Sequence, residues 1–287
     1  MVQSAGNRLI TTIIRQAEKS GYLCAAGNIP VNLVVHELRK SFKRLRALLR
    51  FYNEMPEHPG SRIIEEMKLY GRLLAPLRES AVNIELFDKE ISGNKLLPER
   101  KIKITRELLI QKNKKLVEIE ISQNNLCDNI FTYLEGLRSI LDNQTEIPAK
   151  ISLYREVSQS YLKCITIYRQ LGADPHPEEL HSLRKKMKRL FYQLDFIRFM
   201  HPRYFKLKTD QLNKINDQLG NDHDLHVFHM EFNSGVYEFN AEELYIIDNQ
   251  VEHLRELNQL KLYPRLKQFF TAVPTEFDQK LERFFKL

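Results

Sequence analysis

A nineteen-residue stretch occurs twice, and no other feature of the chain constrains its fold as strongly. "VVHELRKSFKRLRALLRFY" at 34–52 aligns with "ELHSLRKKMKRLFYQLDFI" at 179–197, at an offset of 145. His36 falls on His181, Arg39 on Arg184, Lys40 on Lys185, Lys43 on Lys188 and Arg44 on Arg189. The same offset, without a gap, lays "LLAPLRESAV" (73–82) on "QLGNDHDLHV" (218–227), so that Glu79 falls on Asp224. A period of about half the 287-residue chain implies two similar units, 1–145 and 146–287, within one domain.

Both copies have helical periodicity. On a helical wheel His36, Arg39, Lys40, Lys43, Arg46 and Arg50 fall in one arc about 120° wide, and Leu38, Phe42, Leu45, Leu48 and Leu49 lie opposite. His181, Arg184, Lys185 and Lys188 form the same arc in the second copy, where Phe191 and Asp195 replace Arg46 and Arg50. The first basic helix is expected after Pro30 with Asn32 as cap, and the second after "ADPHPEEL" with Asp174 or His176 as cap. Other helices are expected near 3–20, 61–91 (broken or kinked at Pro76), 98–118, 121–142, 148–170, 202–219, 222–234, 240–261 and 263–285. "KIKIT" and "VEIEIS" are the only strand-like runs, and both sit in helix-rich context. The fold class is all-α: two similar helical units that pack together.

The charge is concentrated. The chain carries +7, while residues 31–53 hold six basic and one acidic residue and 176–200 hold six basic and three acidic. Those two segments therefore carry the whole surplus. A solvated helix face normally mixes signs at i±4, because like charges at that spacing cost a few tenths of a kcal/mol per pair. Paying that cost twice, in register, points to an anion-binding surface. Cations repeating every ~5.4 Å along a helix suit a linear polyanion better than one small phosphate. Each histidine stands near the start of its helix, where free N–H groups favour an anion; an inter-helix hydrogen bond is the alternative. Glu79 and Asp224 read as carboxylates that hold the arginines and lysines in place, against the plainer reading of surface acids.

The repeated H-x-x-R-[KR]-x-x-K-R-L, each copy followed about 40 residues on by L-[GA]-x-x-x-[DE], resembles the CHAD family of histidine-containing α-helical domains across essentially the whole chain. The resemblance implies two pseudo-symmetric antiparallel four-helix bundles packed around a basic groove or pore that binds inorganic polyphosphate, with association to polyphosphate granules in bacteria and archaea. It implies one wall of His36, Arg39, Lys40, Lys43, Arg44, Arg46 and Arg50, and another of His181, Arg184, Lys185, Lys188 and Arg189. Tyr192 joins Glu79 and Asp224 as a supporting residue. Where the family shows Arg-Asp this chain has Arg78-Glu79, and where it shows Arg-Tyr this chain has Phe191-Tyr192. With Asp195 inside the second arc, these departures are expected to weaken the second wall.

Other chemistry finds little footing. "VEIEIS" supplies Glu118 and Glu120 but then Ser122, so the E-x-E-x-K signature of the CYTH triphosphatases, to which some CHAD domains are fused, is not met. His223-Asp224 in "NDHDLHVFH" is too weak for a metal phosphohydrolase, and the first copy has Arg78-Glu79 there. No phosphate loop, nucleophile elbow or Cys–His pairing is present. The expectation is a binding protein without catalytic residues, metal or cofactor. Its rivals are a sequence-blind nucleic-acid binder and a scaffold for acidic or phosphorylated proteins; nucleic acid is expected only as a nonspecific competitor for polyphosphate. Cys24, Cys127 and Cys164 fit no sequence spacing for a bridge or metal, and there is neither a signal peptide nor an apolar run of membrane-span length. The cytoplasm, including polyphosphate granules, is the expected location, with no membrane partner.

Overall fold

Pro30 sets the first wall. Its fixed φ of −54° launches α2 (Val31–Leu49), and its carbonyl accepts from Leu33 N at 2.9 Å and Val34 N at 3.1 Å. Asn32 is therefore inside the first turn and not the cap. The second wall, α8 (Pro177–Ile197), starts as its sequence suggested: His176 accepts from the helix amides, and the Glu179 carboxylate accepts from His176 N at 2.8 Å, completing a capping box. The computed structural model describes residues 5–55, 57–142, 148–172 and 174–286. The boundary expected between the units, at 145 and 146, and the expected start of the first helix lie outside them.

Among the described residues the chain is all-α, without a strand. The helices besides α2 and α8 are α1 (Ala5–Ala25), α3 (Gly60–Leu73), α4 (Ala75–Leu86), α5 (Glu99–Val117), α6 (Leu126–Asp142), α7 (Lys150–Gln170), α9 (Pro202–Phe232), α10 (Ala241–Phe269) and α11 (Pro274–Phe285). "KIKIT" lies in α5, and "VEIEIS" falls on its last residue and the π-helical turn that follows. The expected helix over 61–91 breaks at Leu74, one residue before α4 begins with Pro76 in its first turn. Two expected breaks do not occur. α9 runs through Gly220 and Asn221, and α10 runs through Leu262 and Pro264, so the helix expected over 263–285 is divided instead at 270–273. A proline inside a helix costs about 3 kcal/mol; burial of Leu262, Leu266 and Phe269 around it offsets that loss.

The packing partners recur along the chain. α1 packs on α2 and α6, as α7 packs on α8 and α11. α2 packs on α3 and α4, and α8 on α9; α4 packs on α5, and α9 on α10. The two sets meet where α2 lies on α8 and α4 on α9. One apolar cluster draws on both halves, with Leu38, Phe42, Leu45, Leu183, Met187 and Leu190 all fully buried. A second joins Phe87 and Leu109 to Phe228, Phe232 and Ile247. The leucine faces of α2 and α8 are thus held in the core, which forces their cationic faces toward each other. α1 against α6 also brings the Cys24 and Cys127 side chains together, and all three cysteines are free.

Candidate anion-binding site

Two chambers open along the α2–α8 contact, and they share Lys43, Arg184 and Lys188 as a waist. The first has a volume of about 220 Å3. α2 gives it Lys43 and Arg46, and the 3-10 turn that follows gives Arg50; α8 gives Arg184, Lys185, Lys188 and Arg189; α3 adds Lys68. Among the described residues no carboxylate lines it. Among the described residues only Lys68 of these eight has a carboxylate within ion-pair distance, Glu65 at 2.5 Å. Asn216 of α9 completes the lining; it is 4% exposed, and both its amide atoms are buried without a partner.

The electrostatic strain is largest at the waist. Burial, then Arg184, Arg39, Lys188 and Arg46, push the Lys43 ammonium down to about 7. Burial lowers Lys188 as well, with Asp217 opposing and Arg184 and Lys40 adding. Lys188 Nζ lies over the rings of Phe191 at 5.4 Å and Tyr192 at 5.8 Å. The Phe191-Tyr192 pair that departs from the family pattern thus orients a wall lysine. The Tyr192 hydroxyl reaches the Lys40 carbonyl at 3.5 Å, which ties one wall to the other.

The second chamber, about 350 Å3, mixes signs. His36, Arg39 and Lys40 line it from α2, and Arg78 and Glu79 from α4. His223, Asp224 and Asp217 come from α9. Arg39 is aimed by a device in the backbone. The break at Leu74 leaves the last carbonyls of α3 without helical partners, and Arg39 Nη1 donates to one of them, Gly71 O, at 2.6 Å. The Arg184 guanidinium lies against Gly220, 3.7 Å from where a side chain would begin. Glu79 faces Arg39, and Asp224 faces Arg184, in matching positions of the two units. Burial raises both carboxyls despite these arginines.

The predicted residues do not all converge. Arg44 lines neither chamber; its Nη2 donates to Asp195 Oδ2 at 3.2 Å, and this ion pair joins α2 to α8. Asp195 is likewise absent from both linings, so it does not interrupt the cationic surface. His36 and His181 stand past the first turn of their helices, beyond the reach of the free N–H groups. His36 lines the second chamber, and burial followed by Arg78 lowers its pKa. His181 stacks on His223 with centroids 4.2 Å apart, and its Nδ1 is buried without a partner. Burial, Arg184 and His181 press His223 down to about 3, so it is neutral near pH 7.

Lys68, Arg78, Asn83, Asn213, Asn216, Asp217 and His223 also line the chambers and were not singled out as ligands from sequence. Arg78 and His223 stood beside Glu79 and Asp224 in the second matched segment, which was the available signal. The remainder come from faces of mixed polarity on α3, α4 and α9.

The family model for the CHAD domain matches residues 31–232. PptA from Streptomyces chartreusis superimposes with a TM-score of 0.70 at 13% identity, covering 91% of this chain and 99% of that one. The CHAD domain from the plant Ricinus communis superimposes with a TM-score of 0.56 at 14% identity, covering 98% and 90%. At such identities the likeness is one of fold. None of the curated proteins matches the chain in sequence.

Proposed function

The chain belongs to the CHAD domain family, and from that premise we propose that it binds linear inorganic polyphosphate between α2 and α8 without chemical change to it. One observation carries the reading: a chamber with eight cations and no carboxylate, of which seven have no ion-pair partner among the described residues. Such an arrangement destabilises the empty protein through like-charge repulsion. An anion with many charges at short, regular spacing relieves it, and the arginine forks and lysine ammonium groups provide the donors that phosphate oxygens accept from.

A linear ligand fits better than a single phosphate. Arg39 to Arg50 spans about 16 Å of helix at 1.5 Å per residue, and the waist residues make the two chambers continuous. Nucleic acid fits less well, because the aromatic rings beside the site, Phe191 and Tyr192, face Lys188 and offer no exposed platform for bases. Granule association is part of the same proposal, through binding to the polymer itself.

The test is competition at moderate salt. Long-chain polyphosphate is expected to displace labelled RNA or DNA at stoichiometric concentrations, with affinity falling steeply as salt rises. Nucleic acid that stays bound in excess polyphosphate overturns the reading.

A further inference from the structure

The two chambers differ in the sign they present. The first is purely cationic, whereas the second sets Glu79, Asp217 and Asp224 among its cations. Beyond it a third hollow shares Arg78, Val82 and Asp224 with the second. There Arg78, Lys89 and Lys261 are balanced by Glu85, Glu90 and Asp224, and the rest of the lining is leucine, valine and amide. A polyanion is therefore drawn in at the first chamber and finds nothing to draw it past the second.

Phosphates within a chain and at its end differ chemically. An internal phosphate has one strongly acidic oxygen and no proton near neutral pH. The end phosphate has a second ionisation near pH 6, so it alone brings a P–OH donor. A neighbouring carboxylate raises that second pKa further, because it disfavours the dianion. Carboxylates repel internal phosphates and accept a hydrogen bond from the end.

We infer that the second chamber receives the terminus of the phosphate chain. Its single P–OH donates to one acceptor of the set Glu79, Asp224 and Asn83, while Lys43, Arg184 and Lys188 grip the phosphates behind it. This inference rests on the polyphosphate reading and adds that the chain is held end-on.

Two buried amides support the assignment independently. Asn216, in the first chamber, has its Nδ2 donor among its unpartnered atoms, suited to a phosphate oxygen. Asn83, in the second, is 3% exposed, and its unpartnered atom is the acceptor Oδ1. A buried acceptor without a donor costs about 1–3 kcal/mol. Only the protonated end of the chain supplies that donor. The raised pKa values of Glu79 and Asp224 fit a site that shares a proton with its ligand.

The experiment uses the full chain and linear polyphosphate fractions of known mean length, with ends either free or capped as phosphoramidates of a secondary amine, which leave neither a P–OH nor an N–H donor. Copies bound per chain are counted by light scattering, and affinity is measured by calorimetry. End-on binding holds the count at two copies per polymer, one at each end, however long the polymer. Capping then weakens binding about tenfold or more, the scale of one charge-assisted hydrogen bond. Glu79→Gln with Asp224→Asn is expected to abolish the difference between free and capped ends. A count that climbs with polymer length, together with equal binding of capped chains, overturns end recognition and leaves polyphosphate binding intact. No binding of either form overturns both.

Discussion

The guanidinium of Arg44 on α2 donates to the carboxylate of Asp195 on α8 at 3.2 Å, and neither residue lines a chamber. The two residues stand 151 positions apart and close the seam between the walls. Asp195→Asn is expected to cost about 1 kcal/mol, since the pair is partly exposed. For a chain of this size that is a fall of roughly 2–4 °C in melting temperature. Polyphosphate affinity is expected to stay within about twofold, because neither residue lines a chamber. A large loss of affinity with unchanged melting would place Asp195 in the site itself.

Charge reversal at the waist gives the opposite pattern. Lys43→Glu with Lys188→Glu removes two of the three cations common to both chambers. Two charged hydrogen bonds at about 1.5–3 kcal/mol each correspond to a loss of affinity of at least about a hundredfold. The far-ultraviolet circular dichroism is expected to be unchanged, because the leucine faces that hold α2 and α8 are untouched. Unaltered affinity would remove the cationic faces from the mechanism.

The waist also predicts a pH dependence. Lys43 is held near 7 in the folded protein, against 10.5 for an ordinary lysine. Between those values the unfolded chain binds more protons than the folded one, so stability from this residue rises with pH across about 7 to 10.5. Below 7 the penalty is fully present. A polyanion favours the charged form, so binding at pH 8 is expected to take up a proton. Calorimetry in two buffers of different ionisation enthalpy measures it, and Lys43→Met should remove much of the uptake. Identical apparent enthalpies in both buffers for the unaltered protein would contradict the buried, neutralised lysine.

Asn216 offers a trade between stability and binding. Asn216→Asp introduces one negative charge, without change of shape, into a chamber lined by eight cations. Thermal melting is expected to rise by a few degrees, while polyphosphate affinity falls more than about tenfold. Loss of both stability and affinity would mean that the chamber's charges are better screened than their geometry implies.

The parts of this architecture that were legible in the sequence are those where one face of a helix is apolar and the other is charged. α2 and α8 declared both their core faces and their site faces, because Leu38 and Lys43, or Leu183 and Lys188, fall on opposite sides of the wheel. The break at Pro76 was legible because proline removes a donor. The breaks expected at 220–221 and at 262 do not occur, because burial of Leu219, Leu225, Leu262 and Leu266 carries α9 through Gly220 and α10 through Pro264. Arg44 lies outside the arc of the wheel and joined the wall only through the family pattern, which does not distinguish the chamber from the seam. Asn83 and Asn216 carried no signal, since an amide matters here only through the partner it lacks.

The two flanks of the site also differ mechanically. α9 is an unbroken rod of 31 residues, about 46 Å long, and it resists bending. Facing it across the chambers, α3 and α4 meet at an elbow at Leu74, and the carbonyl beside that elbow is the one to which Arg39 is tethered. The site therefore has one stiff bank and one compliant bank. A ligand that draws on Arg39 pulls, through that one hydrogen bond, on the end of α3 beside the elbow.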